Sequence, residues 1–156
     1  MIADQQTFTD PDKLVTRIVA LLEDCEAVPL TITGNSMLPF LADGRDTVYL
    51  SKVRRPLRKG DMIFYRRDNG RYILHRIYRV ESGRFWIVGD AQTSLEPGIR
   101  QDQVIAIVTA VRRKGKLLKS NSLCWMFFEK IWICMIPLRP YIFKIHALLS
   151  RDGSNS

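Results

Sequence analysis

Two hydrophobic periodicities divide this chain of 156 residues. Leu14, Ile18, Leu21 and Leu22 recur at helical spacing behind Asp10-Pro11-Asp12. That pattern predicts an amphipathic helix over residues 11–25, with Asp10 as its cap, Pro11 in its first turn and Pro29 as its stop. Over residues 30–110 the pattern changes to short apolar segments divided by turn residues. "VPLTIT", "DTVYLSKV", "DMIFYRR", "RYILHRIYRV", "RFWIVGD" and "QVIAIVTAVRR" are the predicted strands. Asp43-Gly44, Lys59-Gly60, Asp68-Asn69-Gly70 and Ser82-Gly83 are the predicted turns, and Asn69-Gly70 should close a hairpin. Beyond residue 122 the chain is rich in aromatic and aliphatic residues and is broken by Pro137 and Pro140. It reads as two helices joined by a proline turn, packed either on the β body or on a membrane surface. The expected fold class is mainly β: a helical lead-in over 1–29, a compact β domain over 30–119 and an apolar helical tail over 120–156.

Charge and composition narrow the partners. Hydrophobic residues make up 46% and charged residues 26%, the mixture of a folded protein. Of the net charge of +8, much is concentrated between residues 51 and 80, where ten Lys and Arg face only Asp61 and Asp68. A second basic run holds Arg112, Arg113, Lys114, Lys116 and Lys119. Such runs suit an anionic lipid or a nucleic acid, or form a solvated basic face. The amino terminus lacks the basic start and apolar stretch of a secretory signal. The most apolar run, "LCWMFFEKIWICMIPL", is interrupted by Glu129 and Lys130, so a spanning helix is not expected. Cys25, Cys124 and Cys134 form no CxxC pair, which suits reduced thiols and a cytoplasmic protein, with peripheral membrane contact through the tail as the added option. Two histidines and no carboxylate cluster imply neither a metal nor a cofactor.

The candidate chemistry begins at "ITGNSMLPFL", where Ser36 follows two small residues and precedes Met37, Leu38 and Pro39. A serine hydroxyl is a poor nucleophile until a base takes its proton. His75 is one such base, on a strand where Ile73, His75 and Ile77 share a face, although a lone histidine there also suits a satisfied core residue. Asp90, after Gly89, and Glu96 are the carboxylates placed to orient an imidazole. Their structural alternatives are a turn cap for Asp90 and an exposed position for Glu96.

In combination, "GNSMLPFL", "DGRDTVYL", "KGDMIFYR", "ILHRIYRV", "IVGDAQTSLEP" and "VIAIV" resemble the serine peptidases of the signal-peptidase and repressor-cleaving superfamily (S24/S26 type), over about residues 30–111. The resemblance implies a signal-peptidase-like β domain. In that superfamily the base is lysine in bacterial signal peptidases and repressors, and histidine in the endoplasmic-reticulum and sporulation types. The "LHRI" segment is similar to the second group. It implies Ser36 as nucleophile, His75 as general base, Glu96 as the orienting acid where relatives usually carry aspartate, and Asp90 as a support of the site. Some relatives place an oxyanion-binding hydroxyl two residues before the serine. Gly34 stands there, so the Ser36 N–H with Asn35 or Thr33 must supply the hole, and Gly34, Asn35, Met37 and Pro39 line the oxyanion and substrate site. Family signal peptidases carry an amino-terminal anchor, which this chain lacks, and about thirty residues before the motif are too few for a repressor's DNA-binding domain.

The expected activity is cleavage of a leader or propeptide after a small residue through an acyl-enzyme, the substrate adding as an extended strand. An imidazole base implies an activity limb through about pH 6 to 7. The alternatives are a catalytically silent peptide-binding relative and a basic module that binds membrane surfaces or nucleic acid. Nucleic acid is the less expected ligand, because the aromatics of the tail favour lipid.

Overall fold

The computed structural model describes residues 10–152, so residues 1–9 of the expected lead-in lie outside the described part. The first helix, α1 (Pro11–Asp24), begins as the sequence predicts: the Asp10 carboxylate accepts from the Asp12 N–H, and Pro11 occupies the first turn. Capping of this kind contributes about 1 kcal/mol. Val15, Ile18 and Leu22 form its buried face.

Eight antiparallel strands follow: β1 (Val28–Thr31), β2 (Thr47–Ser51), β3 (Met62–Arg66), β4 (Tyr72–Glu81), β5 (Arg84–Val88), β6 (Glu96–Arg100), β7 (Val104–Arg113) and β8 (Lys116–Lys119). They form one sheet in the order β1-β2-β7-β3-β4-β5-β6, with β8 added beside the end of β7. The six predicted strands are present, and the Asn69-Gly70 turn joins β3 to β4. Two strands were not predicted. β6 reads "EPGIR", and its Pro97 and Gly98 speak against a strand, but it lies at the sheet edge, where a missing N–H breaks no ladder. β8 was hidden in the second basic run. Lys114 and Gly115 both take positive φ, 48° and 78°, as the twist of a two-residue hairpin requires, and fold Lys116 back beside Arg113.

The sheet buries both faces. On one side Met62, Phe64, Val48, Leu50 and Ala106 pack with α1 and the tail; on the other Ile63, Tyr65, Ile77, Ile87 and Ile107 pack together. Alternation along β3 and β4 assigns residues to these two cores, and Ile73 and Ile77 share the second as their spacing implies.

The tail is helical from Leu123 onward, but not as two regular helices. After α2 (Leu123–Met126) the helix widens over Phe127–Ile131 and tightens over Trp132–Leu138, bends at Met135 (φ −88°, ψ 16°), and resumes as α3 (Arg139–Asp152). Trp125, Phe128 and Trp132 pack into the first core against Phe40, with the Phe40 and Phe128 ring centroids 4.6 Å apart. This first part of the tail therefore packs on the β body. The sequence discounted a spanning helix because of Glu129 and Lys130. Folded, the run Leu123–Ser150 is 28 residues long and, by length and composition alone, apolar enough to cross a membrane.

Candidate active site

Ser36 lies in the loop between β1 and β2, and that loop is shaped by what it buries. Met37, Phe40 and Leu41 fall at helical spacing and are all buried in the first core, while Leu41 N–H donates to Met37 O at 2.9 Å. The Leu38-Pro39 bond is cis. From outside, Arg113 of β7 donates to the carbonyls of Pro39 and Phe40. The buried Asp46 carboxylate gathers the Arg45 guanidinium and the N–H groups of Ala42 and Lys114. The apolar bulk after the serine is thus an anchor: it turns the loop rigid and leaves Thr33, Gly34 and Asn35 exposed and Ser36 half-buried. Gly34 takes φ 83° and donates to Asp43, so a turn rather than a hydroxyl occupies the position two before Ser36.

His75 stands in the middle of β4, opposite Ile63, and is 2% exposed. Burial pushes its pKa down from 6.5 to about 4; the Glu96 carboxylate opposes that shift and Arg67 adds to it. The imidazole is therefore neutral at physiological pH. Nδ1 is buried and has no hydrogen-bond partner.

The serine loop and the histidine strand meet at Gly89. A Cβ on Gly89 would lie 2.5 Å from the Ser36 carbonyl oxygen and 3.0 Å from His75 Nε2, so both atoms crowd one point and no side chain fits between them. The Ala91 N–H donates to the Ser36 carbonyl at 2.9 Å, tying the serine loop to the turn after β5. That turn closes on itself, Gln92 N–H donating to Gly89 O and Gly89 N–H to Gln92 Oε1.

Asp90, in the same turn, faces away from this chemistry. Its carboxylate and the Arg76 guanidinium, both with no exposed surface, form a two-pronged ion pair at 3.0 and 2.9 Å. Arg76 also donates to Gly60 O and lies over the Phe40 ring. Glu96 begins β6, and its carboxylate accepts from Tyr65 Oη and Arg67 Nε, each at 2.8 Å. Burial works to raise its pKa, but the Arg67 and Tyr65 hydrogen bonds outweigh it, and Glu96 is held below the ordinary range. The expected hydrogen bond from the imidazole N–H to Glu96 is not formed. The reason is competition: a guanidinium and a phenol already occupy the carboxylate, which acts on His75 only through its field.

Sequence reasoning missed four residues of this site. Tyr65 donates to Glu96 and has its ring centroid 6.5 Å from that of His75, and Arg67 holds Glu96. From the tail, Trp132 Nε1 donates to Asp90 O, and the fully buried Arg139 donates to the carbonyls of Gly89 and Gln92. A lone arginine between two prolines in an apolar segment was the one available sign for Arg139. Two surface concavities, lined by residues such as Arg58, Lys59, Ser120 and Glu129, contain neither Ser36 nor His75. Among the described residues, no three His, Cys, Asp or Glu are grouped to hold a metal.

No curated protein matches this chain, and no solved structure does. The family described as "Peptidase S24-like" does match, over residues 3–112. That span holds the whole serine–histidine region and well over half the chain, and the fold is the expected β domain with helices at both ends. The chain therefore belongs to the Peptidase S24-like family.

Proposed function

We propose that this protein is a serine peptidase in which Ser36 is the nucleophile and His75 the general base. The observation that carries the reading is the convergence of the serine loop and His75 Nε2 on the one residue, Gly89, that has no side chain to separate them. Nε2 faces that point and Nδ1 lies buried, so the competent tautomer keeps its proton on Nδ1. Nε2 takes the Ser36 hydroxyl proton as Oγ adds to a peptide carbonyl. The resulting oxyanion is held by exposed backbone N–H groups of the serine loop, and the amine leaves with the proton from Nε2. Water then attacks the acyl-serine with His75 again as base, releasing the acid and restoring the hydroxyl.

The substrate is an extended peptide. β1 is an edge strand that runs directly into the serine loop, so a peptide added along β1 would present its carbonyl near Ser36. With the resemblance to leader-cleaving peptidases, this supports processing of a leader or propeptide.

One observation favours a second reading, a silent relative that binds peptides without cutting them: the unpartnered Nδ1 leaves the imidazole with no acceptor to orient it. The basic band offers less to nucleic acid than its composition suggests. Arg55, Arg67, Arg76 and Arg79 are spent on Asp61, Glu96, Asp90 and Glu81.

A serine-directed fluorophosphonate decides between the readings. Labelling of the wild type, lost in Ser36→Ala and strongly slowed in His75→Ala, is the expected result. A wild type that stays unlabelled while binding peptide would establish the silent relative.

A further inference from the structure

We propose that the carboxy-terminal helix α3 is a membrane-surface anchor that lies along an anionic bilayer. Leu138, Tyr141, Ile145 and Leu148 follow one another at three- and four-residue steps, Leu149 stands four after Ile145, and each is more than half exposed. Ile142 and Phe143, between them, pack against the core. The helix is therefore covered only at its start, by Ile142 and Phe143, while residues 144–150 are exposed on every side and leave Ile145, Leu148 and Leu149 bare. A helix resting on a soluble domain carries polar residues outward; four large aliphatics and a tyrosine in their place mark a docking surface.

The charge around this row selects the occupant. Residues 112–152 contain nine Lys and Arg against two acids, Glu129 and Asp152; with the buried Arg139 set aside, eight cations remain and the net is +6. Lys144 stands exposed within the helix, and Arg58, Lys59 and Lys130, with Glu129 as the single acid among them, line a concavity beside its lead-in. Basic residues flanking an apolar stripe match a surface of acidic lipid headgroups. A second copy of this chain would bring the same positive charge against itself, which opposes association.

Packing decides between lying along the bilayer and crossing it. The 28-residue run from Leu123 has the length to span, but its first part is the core of the protein. Trp125, Phe128, Trp132 and Ile133 are buried, and Arg139 is held without exposure by the carbonyls of Gly89 and Gln92. Withdrawing them would open the core and strip a buried arginine of its acceptors. The helix left free begins after Arg139, and residues 140–150 reach only about 16 Å, roughly half of a hydrocarbon core. Its Lys144 would also sit inside that core. Such a segment is stable in the interface, with its aliphatic row among the acyl chains and its cations at the headgroups. This assignment does not depend on the chemistry of Ser36.

The test is flotation of the full chain with vesicles of phosphatidylcholine mixed with phosphatidylglycerol, and with vesicles of phosphatidylcholine alone, at low and high salt. The double variant Ile145→Glu/Leu148→Glu and the milder Leu149→Gln both alter exposed positions, and circular dichroism checks that each stays folded. The wild type should partition onto the anionic vesicles roughly tenfold or more above the neutral ones. Salt should weaken that binding, the double variant should lose it by roughly tenfold or more, and Leu149→Gln should fall between. Failure of the wild type to float with anionic vesicles, or equal flotation of the wild type and the folded double variant, would overturn the proposal. So would a concentration-dependent dimer, seen by sedimentation, that the double variant abolishes while vesicle binding is absent.

Discussion

The carbonyl oxygen of Ser36 and the amide of Ala91 are joined by a 2.9 Å hydrogen bond, so the serine loop and the turn after β5 form one rigid unit. Around that bond the structure is over-determined. Gly89 abuts both the Ser36 carbonyl and His75 Nε2, Asp90 is pinned by Arg76, and the tail reaches in through Trp132 and Arg139 to hold the carbonyls of the turn. Four distant segments of sequence meet within a few residues of the candidate nucleophile, and the backbone contributes as much as the side chains.

Gly89→Ala should therefore damage activity far more than its size suggests. The new methyl group would start 2.5 Å from a backbone oxygen that cannot rotate away, so the serine loop must shift to admit it. Displacement of a nucleophile by an ångström costs on the order of 100-fold in turnover, and the strain should cost about 1–3 kcal/mol of stability. Turnover on a peptide substrate, set beside the Tm, checks this. Normal turnover in the alanine variant would mean that Ser36 and His75 do not work across this point.

Asp90→Asn should act on folding rather than on chemistry. It leaves Arg76, which has no exposed surface, as a buried charge without its counter-ion, a loss of about 3–5 kcal/mol. Replacing both partners, Arg76→Met with Asp90→Leu, removes the stranded charge and should cost less than the single change. Urea denaturation of the three proteins measures the difference. If the single variant is as stable as the wild type, the ion pair is not what holds the turn.

How far these relationships were legible in the sequence depended on their range. The α1 cap, the six strands with side-chain alternation and the Asn69-Gly70 hairpin follow from local chemistry and were read correctly. β6 was missed because Pro97 and Gly98 argue against a strand, and only its place at the edge, a tertiary fact, permits it. Ser36 and His75 are candidates from motif and chemistry, and the fold brings their segments together at Gly89. Glu96 shows the limit of such reading: its place in the motif pointed to the imidazole, yet Tyr65 of β3, three strands away in the sheet, and Arg67 just after it compete for the same carboxylate. Arg139 lay beyond reach because its acceptors are carbonyl groups some fifty residues earlier, and any residue type supplies those.

Acid should reveal the burial of His75. Its pKa is about 4 in the fold against 6.5 when solvated, so between those values the unfolded chain binds a proton that the folded chain does not. Stability is then full above about pH 6.5 and falls as the pH drops toward about 4, by roughly 3 kcal/mol from this group alone. His75→Gln, which cannot titrate, should lack that component when unfolding free energies are compared from pH 7 down to pH 4. The same shift corrects the activity limb expected for an ordinary imidazole: kcat/KM should be flat between about pH 6 and 7 and fall only near about pH 4. A limb at the ordinary position would mean that the imidazole is solvated in the working enzyme.

Glu96 separates a dyad from a triad. An acid that orients the imidazole by direct contact supports turnover by orders of magnitude, and its amide variant fails because the tautomer is wrong. Here Glu96 is bonded to Tyr65 and Arg67 instead, and reaches His75 through its field. Removing the negative charge with Glu96→Gln should lower the His75 pKa further, since the carboxylate raises it and Arg67, then left without its counter-charge, lowers it. A weaker base that remains neutral still accepts the Ser36 proton, so kcat should fall by less than about tenfold with KM nearly unchanged. The acid limb of kcat/KM should move to lower pH in parallel. His146→Ala, in the exposed part of the tail, serves as the control for a histidine outside the site and should leave both parameters alone. A loss of about a thousandfold or more in Glu96→Gln would show that the carboxylate leaves Arg67 and turns onto Nδ1 when substrate binds, and the site would then be a triad assembled by its substrate.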